Sequence, residues 1–341
     1  MMLVGVCDFP GNYAFPPAGY GGIERWLWAA AIGARQAGAD VHLLGPLWRP
    51  DLGDGLAADP LRLEDVAPGS RQLARLRSAG YDLLIVGHEY PSLPAWRRTW
   101  EELDCDVATF QHAPDFRHTP DAFDGHRSRL YCYSPEMTGR YLAHRPRAEL
   151  AVHLGLAEQE SPATDGSDLV WLGRIDREKA PHIAVMAAAL LGRRIRVIGP
   201  VFDEAYAVRH NDLFRADNVD MAGELGGADK TAALRAGRVL VYTCARYYVE
   251  AGAAVFGESL RAGTPVAALA WRRGTCAEAA LCDGTGAVAT VRQEASDEEA
   301  ALALAEAIER VALLKPASVQ EIGQTRFDPV RHFRALASRH D

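Results

Sequence analysis

Short runs of consecutive apolar residues alternate along this chain with longer stretches whose apolar positions recur every three to four residues. LVGVCD (3–8), VHLLG (41–45), YDLLIVG (81–87), VATFQH (107–112), RLYCYS (129–134) and ELAVHLG (149–155) read as strands. Helices are expected over 22–36, over 72–78 and from Pro135. The polar stretch LAEQESPATDGSD (156–168), punctuated by Pro and Gly, reads as a linker. The alternation then resumes with strands DLVWLG (168–173), RIRVIG (194–199), VDMAG (219–223), VLVYT (239–243) and PVAAL (265–269). Helices are expected over 181–191, from Asp229, within 247–265 and over 297–314. Apolar strands separated by helices imply parallel sheets covered on both faces, an α/β architecture of two doubly wound, Rossmann-like domains facing across a cleft. The domains are expected at 1–156 and 169–318, joined by 157–168, with 319–341 as a C-terminal helical tail.

Composition narrows the function classes. A chain of 341 residues exceeds what one core usually fills, and 48% hydrophobic with 24% charged residues describes an ordinary globular protein. The net charge of -8 provides no global attraction to nucleic acid. The N-terminal MMLVGVCDFPGNY lacks a basic region and a cleavage pattern, and no uncharged apolar run approaches bilayer length. A cytoplasmic protein without an integral membrane segment is expected. Cys7, Cys105, Cys132, Cys244, Cys276 and Cys282 form no C-x-x-C pair, and several sit in apolar runs, so they read as buried free thiols. No metal site or cofactor follows from them.

The stretch YYVEAGAAVFGESLRAGTP (247–265) carries the strongest candidate chemistry. Glu250 and Glu258 flank an apolar, glycine-containing run, so a helix beginning there would turn the N–H groups of Gly252, Ala253, Ala254 and Val255 toward an anion. Glu258, farther along that helix, is suited to accept hydrogen bonds from a diol. An anion site beside diol acceptors points to a nucleotide sugar. Other candidates follow predicted strands, where open parallel sheets bind ligands. Gly21 and Gly22 precede a helix and allow close approach to a phosphate or sugar, and they equally fit a flexible loop. Gly173 ends a strand, and Arg174 and Lys179 follow it in GRIDREK, able to neutralise a diphosphate or simply to join a solvated charge run. Gly199, Glu224 and Leu225 lie in glycine turns with backbone groups for a base.

The order of YGGIE, LGRIDREKAPH, VDMAGELGGADKTAALRAGRVLVYT, the Glu-x7-Glu segment with ESLRAGTPVAAL, and GTCAEAALCDGTG resembles retaining glycosyltransferases of the GT-B fold. The similar group is the large family four that includes sucrose synthases and bacterial mannosyltransferases, and the resemblance spans nearly the whole chain. It implies that Gly21 and Gly22 approach the donor phosphate and that Arg174 and Lys179 bind the diphosphate. Glu250 would hold the transferred sugar and Glu258 the ribose, with His112 beside the reacting sugar. It also implies a metal-independent hexosyl transfer from a nucleoside diphosphate sugar to a hydroxyl of a saccharide or natural product, and a last helix that crosses back to the first domain; UDP is taken as the carrier over GDP or dTDP, although the family's donor identity does not carry over. Glu250-Ala251-Gly252-Ala253 departs from the family's usual Glu-Pro-Phe-Gly, and Arg261 stands where a small or apolar residue is common. The Ala-, Arg- and Gly-rich usage and small size resemble antibiotic-pathway transferases of the avilamycin type. Acceptor contacts are expected from Tyr13, Phe15, His88, Glu89, Tyr90 and Phe116, which follow strands of the first domain, and they equally fit loop packing. A monomer or homodimer is expected. A sugar-nucleotide epimerase and a non-catalytic nucleotide-sugar-binding module are the rival functions.

Overall fold

Strands form where the chain is apolar without interruption. In a computed structural model, which describes residues 1–17, 21–49, 56–87, 94–114, 127–142, 148–155 and 161–340, β1 (Leu3–Cys7), β2 (Asp40–Leu44), β3 (Ala57–Asp59), β4 (Leu83–Val86), β5 (Asp106–Phe110), β6 (Ser128–Cys132) and β7 (Ala148–Leu150) make one parallel sheet. Its order is β3-β2-β1-β4-β5-β6-β7. A second parallel sheet has the order β10-β9-β8-β11-β12-β13. Its strands are β8 (Asp168–Leu172), β9 (Ile195–Ile198), β10 (Val219–Gly223), β11 (Gly237–Tyr242), β12 (Val266–Ala270) and β13 (Gly286–Thr290). β4 and β12 are buried at every position, as central strands covered on both faces must be. In each sheet the order reverses beside the first strand, which opens a crevice at the carboxyl ends.

The helices of the first sheet are α1 (Ile23–Gln36), α2 (Arg71–Ala79), α3 (Pro94–Leu103) and α4 (Pro135–Arg140). Those of the second are α5 (Pro181–Leu190), α6 (Glu204–Arg209), α7 (Asn211–Phe214), α8 (Gly227–Ala236), α9 (Ala254–Arg261), α10 (Cys276–Ala280), α11 (Asp297–Val311) and α12 (Pro316–Arg326). The last helix, α13 (Pro329–Ala337), packs on α1. By its contacts the chain forms two units, Met1–Leu154 with Asp328–Asp341, and Gly155–Phe327. Local chemistry sets several helix ends. Ser70 caps α2, which closes at Gly80 in the left-handed region (φ 72°), and Ser296 with Glu299 forms a reciprocal capping box at α11. Asp328 accepts from the N–H groups of Val330 and Arg331 to start α13.

Several elements differ from the sequence reading. The 247–265 helix is only α9, and the helix expected from Asp229 begins two residues earlier at Gly227. The strand expected over 149–155 is the three-residue β7 at the sheet edge. Five cysteines are buried free thiols, whereas Cys282 is exposed.

Candidate functional site

The loop after β8 is held by several hydrogen bonds. Buried Asp176 accepts hydrogen bonds from the backbone N–H groups of Glu178 (3.0 Å) and Lys179 (2.8 Å), folding GRIDREK back on itself. Ala180 then takes left-handed φ and ψ of 47° and 51°, which costs a residue with a Cβ about 1–2 kcal/mol. Pro181 follows at the first turn of α5. This turn is tied to the neighbouring strand end, because Thr243 donates to the Lys179 carbonyl (2.7 Å) and accepts from the Trp171 indole (2.9 Å). The Ala245 N–H donates to the Glu178 carbonyl (2.8 Å).

Tied in this way, the two loops bring Lys179 and Glu250 together. Lys179 Nζ donates to Glu250 Oε2 in a close ion pair, and the Tyr242 hydroxyl donates to the same oxygen at 3.3 Å. The side chains of Lys179 and Glu250 keep 15% and 12% exposure, so the pair is largely withdrawn from water. Lys179 also lies over the Tyr248 ring, 5.0 Å from its centroid. The Glu250 charge, with burial second, pushes the Tyr248 phenol up. For the Tyr242 phenol and the Cys276 thiol burial leads and Glu250 adds. Arg174 spans Asp176 (3.1 Å) and Glu178 (2.7 Å) and lies 4.9 Å from the Phe202 ring centroid.

Four residues beyond Glu250, α9 begins at Ala254 with no side chain capping its first turn. Glu258 sits in that helix, buried, and its carboxylate meets Lys230 Nζ of α8 at 2.6 Å with both side chains 5% exposed. Lys230 was not singled out by the sequence reading. A lysine in the short apolar run KTAAL is the signal that could have found it, and its partner lies 28 residues away. Asp176 and Thr243 were missed as well, the first because it stands among charged neighbours.

The other strand-end candidates of this unit are more mixed. The Gly199 N–H donates to Gly223 O (2.8 Å) and the Gly173 N–H to Ile198 O (3.0 Å), so neither donor is left for a base. A Cβ on Gly199, at φ 144°, would collide with the Gly173 carbonyl, so this glycine serves close packing of adjacent strand ends. Glu224 is exposed and Leu225 half-buried beyond β10.

In the first unit, Gly21 has φ 153°, a conformation that residues with a Cβ rarely adopt, which favours glycine where the chain enters α1. His112, just after β5, is half-buried, with Nε2 3.2 Å from the Tyr133 hydroxyl and its ring edge-on to Trp26 and to His153. Tyr13 is half-buried and its N–H donates to Asp8 (3.3 Å). Phe15 corrects the acceptor reading: it is fully buried and stacked on Trp48 at 3.6 Å, so its ring packs the loop onto the sheet. His88, Glu89, Tyr90 and Phe116 lie outside the described residues.

No protein-family model matches the sequence, and no curated protein sequence matches it. Solved structures do match across the full length. AviGT4, a glycosyltransferase involved in avilamycin A biosynthesis, is 19% identical with a TM-score of 0.74, covering 100% of this chain and 97% of its own. HepE of Anabaena, solved with UDP-glucose, is 15% identical with a TM-score of 0.70 and 99% coverage of both chains. Sucrose-phosphate synthase from Thermosynechococcus elongatus is 16% identical with a TM-score of 0.64, covering 99% and 97%. The fold is GT-B. In this GT-B chain the loop after β8, the loop after β11 and the start of α9 all stand at the carboxyl edge of the second sheet, where such a sheet receives ligands. Among the described residues no cluster of three His, Cys, Asp or Glu side chains is arranged to hold a metal ion, and no helix is long and apolar enough to cross a membrane.

Proposed function

We propose that this chain is a retaining glycosyltransferase of the family four type, moving a hexosyl group from a nucleoside diphosphate sugar to a hydroxyl of a saccharide or natural-product acceptor. The observation that carries this reading is the Lys179 and Glu250 pair beside the uncapped start of α9. A cation, a sugar-hydroxyl acceptor and a helix N-terminus then converge at one strand edge. Arg174 and Lys179 neutralise the diphosphate, which removes the need for a metal ion. Glu250 orients the transferred sugar and Glu258, held by Lys230, accepts from the ribose.

In the reaction the bond between the anomeric carbon and the diphosphate oxygen breaks, with the electron pair leaving on the diphosphate. The acceptor oxygen bonds to the same face of that carbon, and its proton passes to the departing phosphate. The UDP-glucose complex of HepE favours UDP as carrier, and the AviGT4 likeness favours an antibiotic-pathway acceptor. A cytoplasmic monomer or homodimer completes the reading.

The test is incubation with UDP-, GDP- and dTDP-sugars and saccharide acceptors, following diphosphate release and the anomeric configuration of the product by NMR. An α-linked product from an α-configured donor is expected, and Lys179→Ala should lower turnover by about 10²–10³-fold. Near-normal transfer by that variant would remove Lys179 from its role, and isomerised donor without acceptor would identify an epimerase.

A further inference from the structure

The second unit holds a cavity of about 430 Å³ whose lining includes none of the residues assigned above to the donor. It lies between the N-terminal turn of α5, the end of α6, the Ala245–Tyr247 stretch and Asp297 at the start of α11. Its inner wall is already satisfied. His182 Nδ1 lies 2.6 Å from the Tyr206 hydroxyl and Nε2 lies 3.0 Å from Asp297, which also accepts from Arg246 at 2.9 Å. Arg246 in turn lies 4.8 Å from the centre of the Trp271 ring.

The outer wall is different. Three arginines, Arg177, Arg209 and Arg246, line the cavity with one acid, Asp297, and a second acid, Asp203, stands just outside the lining near Arg177 and Arg209, which leaves one positive charge in excess. Arg177 is held by Asp203 at 2.7 Å, whereas exposed Arg209 makes no ion pair among the described residues. Next to it His210 stacks on His182, with ring centroids 4.2 Å apart and planes 21° from parallel, and it also packs against Tyr206 at 4.6 Å, so His210 lines the cavity as part of an aromatic cluster. Tyr247 lines the cavity from the other loop with 61% exposure. An excess of guanidinium groups suits a phosphate, and the imidazole and phenol faces suit the ring that carries it. The volume lies in the range of small-molecule sites.

We propose that this cavity is a second ligand site that binds a phosphomonoester carried on a ring, with Arg209 and Arg246 on the phosphate and His210 and Tyr247 on the ring. A sugar phosphate and a nucleoside monophosphate share that chemistry. The Ala245–Tyr247 wall leads directly into Glu250, so the bound ester lies against the base of the loop that carries the Lys179 pair.

Calorimetric titration of the full chain with glucose 1-phosphate, with UMP and with inorganic phosphate tests this. One class of site should bind an ester at least about tenfold more tightly than inorganic phosphate. That class should weaken about tenfold or more in the Arg209→Ala/His210→Ala double variant and in Arg209→Glu, and persist in Lys179→Ala. Arg209 is exposed, so Arg209→Glu keeps the test valid if the double variant is unstable. The tighter of the two esters identifies the source. Equal ester binding by wild type and Arg209→Glu, equal affinity for ester and inorganic phosphate, or no binding at all would each overturn the proposal.

Discussion

Asp8, directly after β1, is a buried carboxylate with one oxygen lacking a hydrogen-bond partner among the described residues. Burial, with a smaller contribution from Glu24, outweighs the N–H groups of Tyr13 and Asn12 and raises its pKa from 3.8 to about 6. The folded chain therefore holds this proton more tightly than the unfolded chain. Stability from this group is complete below the unfolded value and is lost as pH rises through about 6, a total of roughly 3 kcal/mol. Asp8→Asn, which keeps the shape without the charge, should gain up to roughly 3 kcal/mol near pH 8 and almost nothing near pH 3, measured by urea unfolding at both. A gain that is the same at the two pH values would mean that ionisation of Asp8 is not its source. At this scale the sequence was informative about which side chains carry charge and poor about how they pair. Glu250 and Glu258 were legible as oddly placed acids, but Lys230 and Asp176 became visible only as buried partners. Phe15 could be read either way because an aromatic residue in a Pro-rich loop has the same local signature whether it faces a ligand or Trp48.

Helix packing offers a sharper contrast between local and tertiary rules. Gly33 lies inside α1, where helix propensity alone predicts that alanine would add about 1 kcal/mol. A Cβ there would run into the Pro329 carbonyl at the start of α13. Gly33→Ala should therefore destabilise by about 1–3 kcal/mol, read as a lowered melting temperature. A raised melting temperature would show that α13 yields at no cost. Long amphipathic helices such as α1 and α11 were legible from their spacing, and the strands from their apolar runs. α3 was missed although Trp96, Trp100 and Leu103 follow helical spacing, because four charged residues interleave them. The three-residue β3 and the small-residue β13 (GAVAT) owe their existence to pairing with β2 and β12.

For the whole molecule, ligand binding reports on the proposed donor site without any knowledge of the acceptor. A ligand at about 100 times its Kd stabilises the folded state by roughly 2.7 kcal/mol, which for a unit of this size raises the melting temperature by about 5–10 °C. UDP should produce such a rise and uridine should not if, as proposed, Arg174 and Lys179 bind the diphosphate. Lys179→Ala should lose most of the rise, and a full UDP response in that variant would count against the diphosphate assignment. The alternation of apolar runs and amphipathic segments determined the α/β class, because burial on two faces of a parallel strand is a local demand on consecutive residues. Which strand ends become neighbours depends on the order β9-β8-β11, and no local pattern encodes it. Only the folded sheet could bring Lys179 to Glu250, 71 residues apart, since an ion pair is a property of two positions in space and leaves no periodicity along the chain.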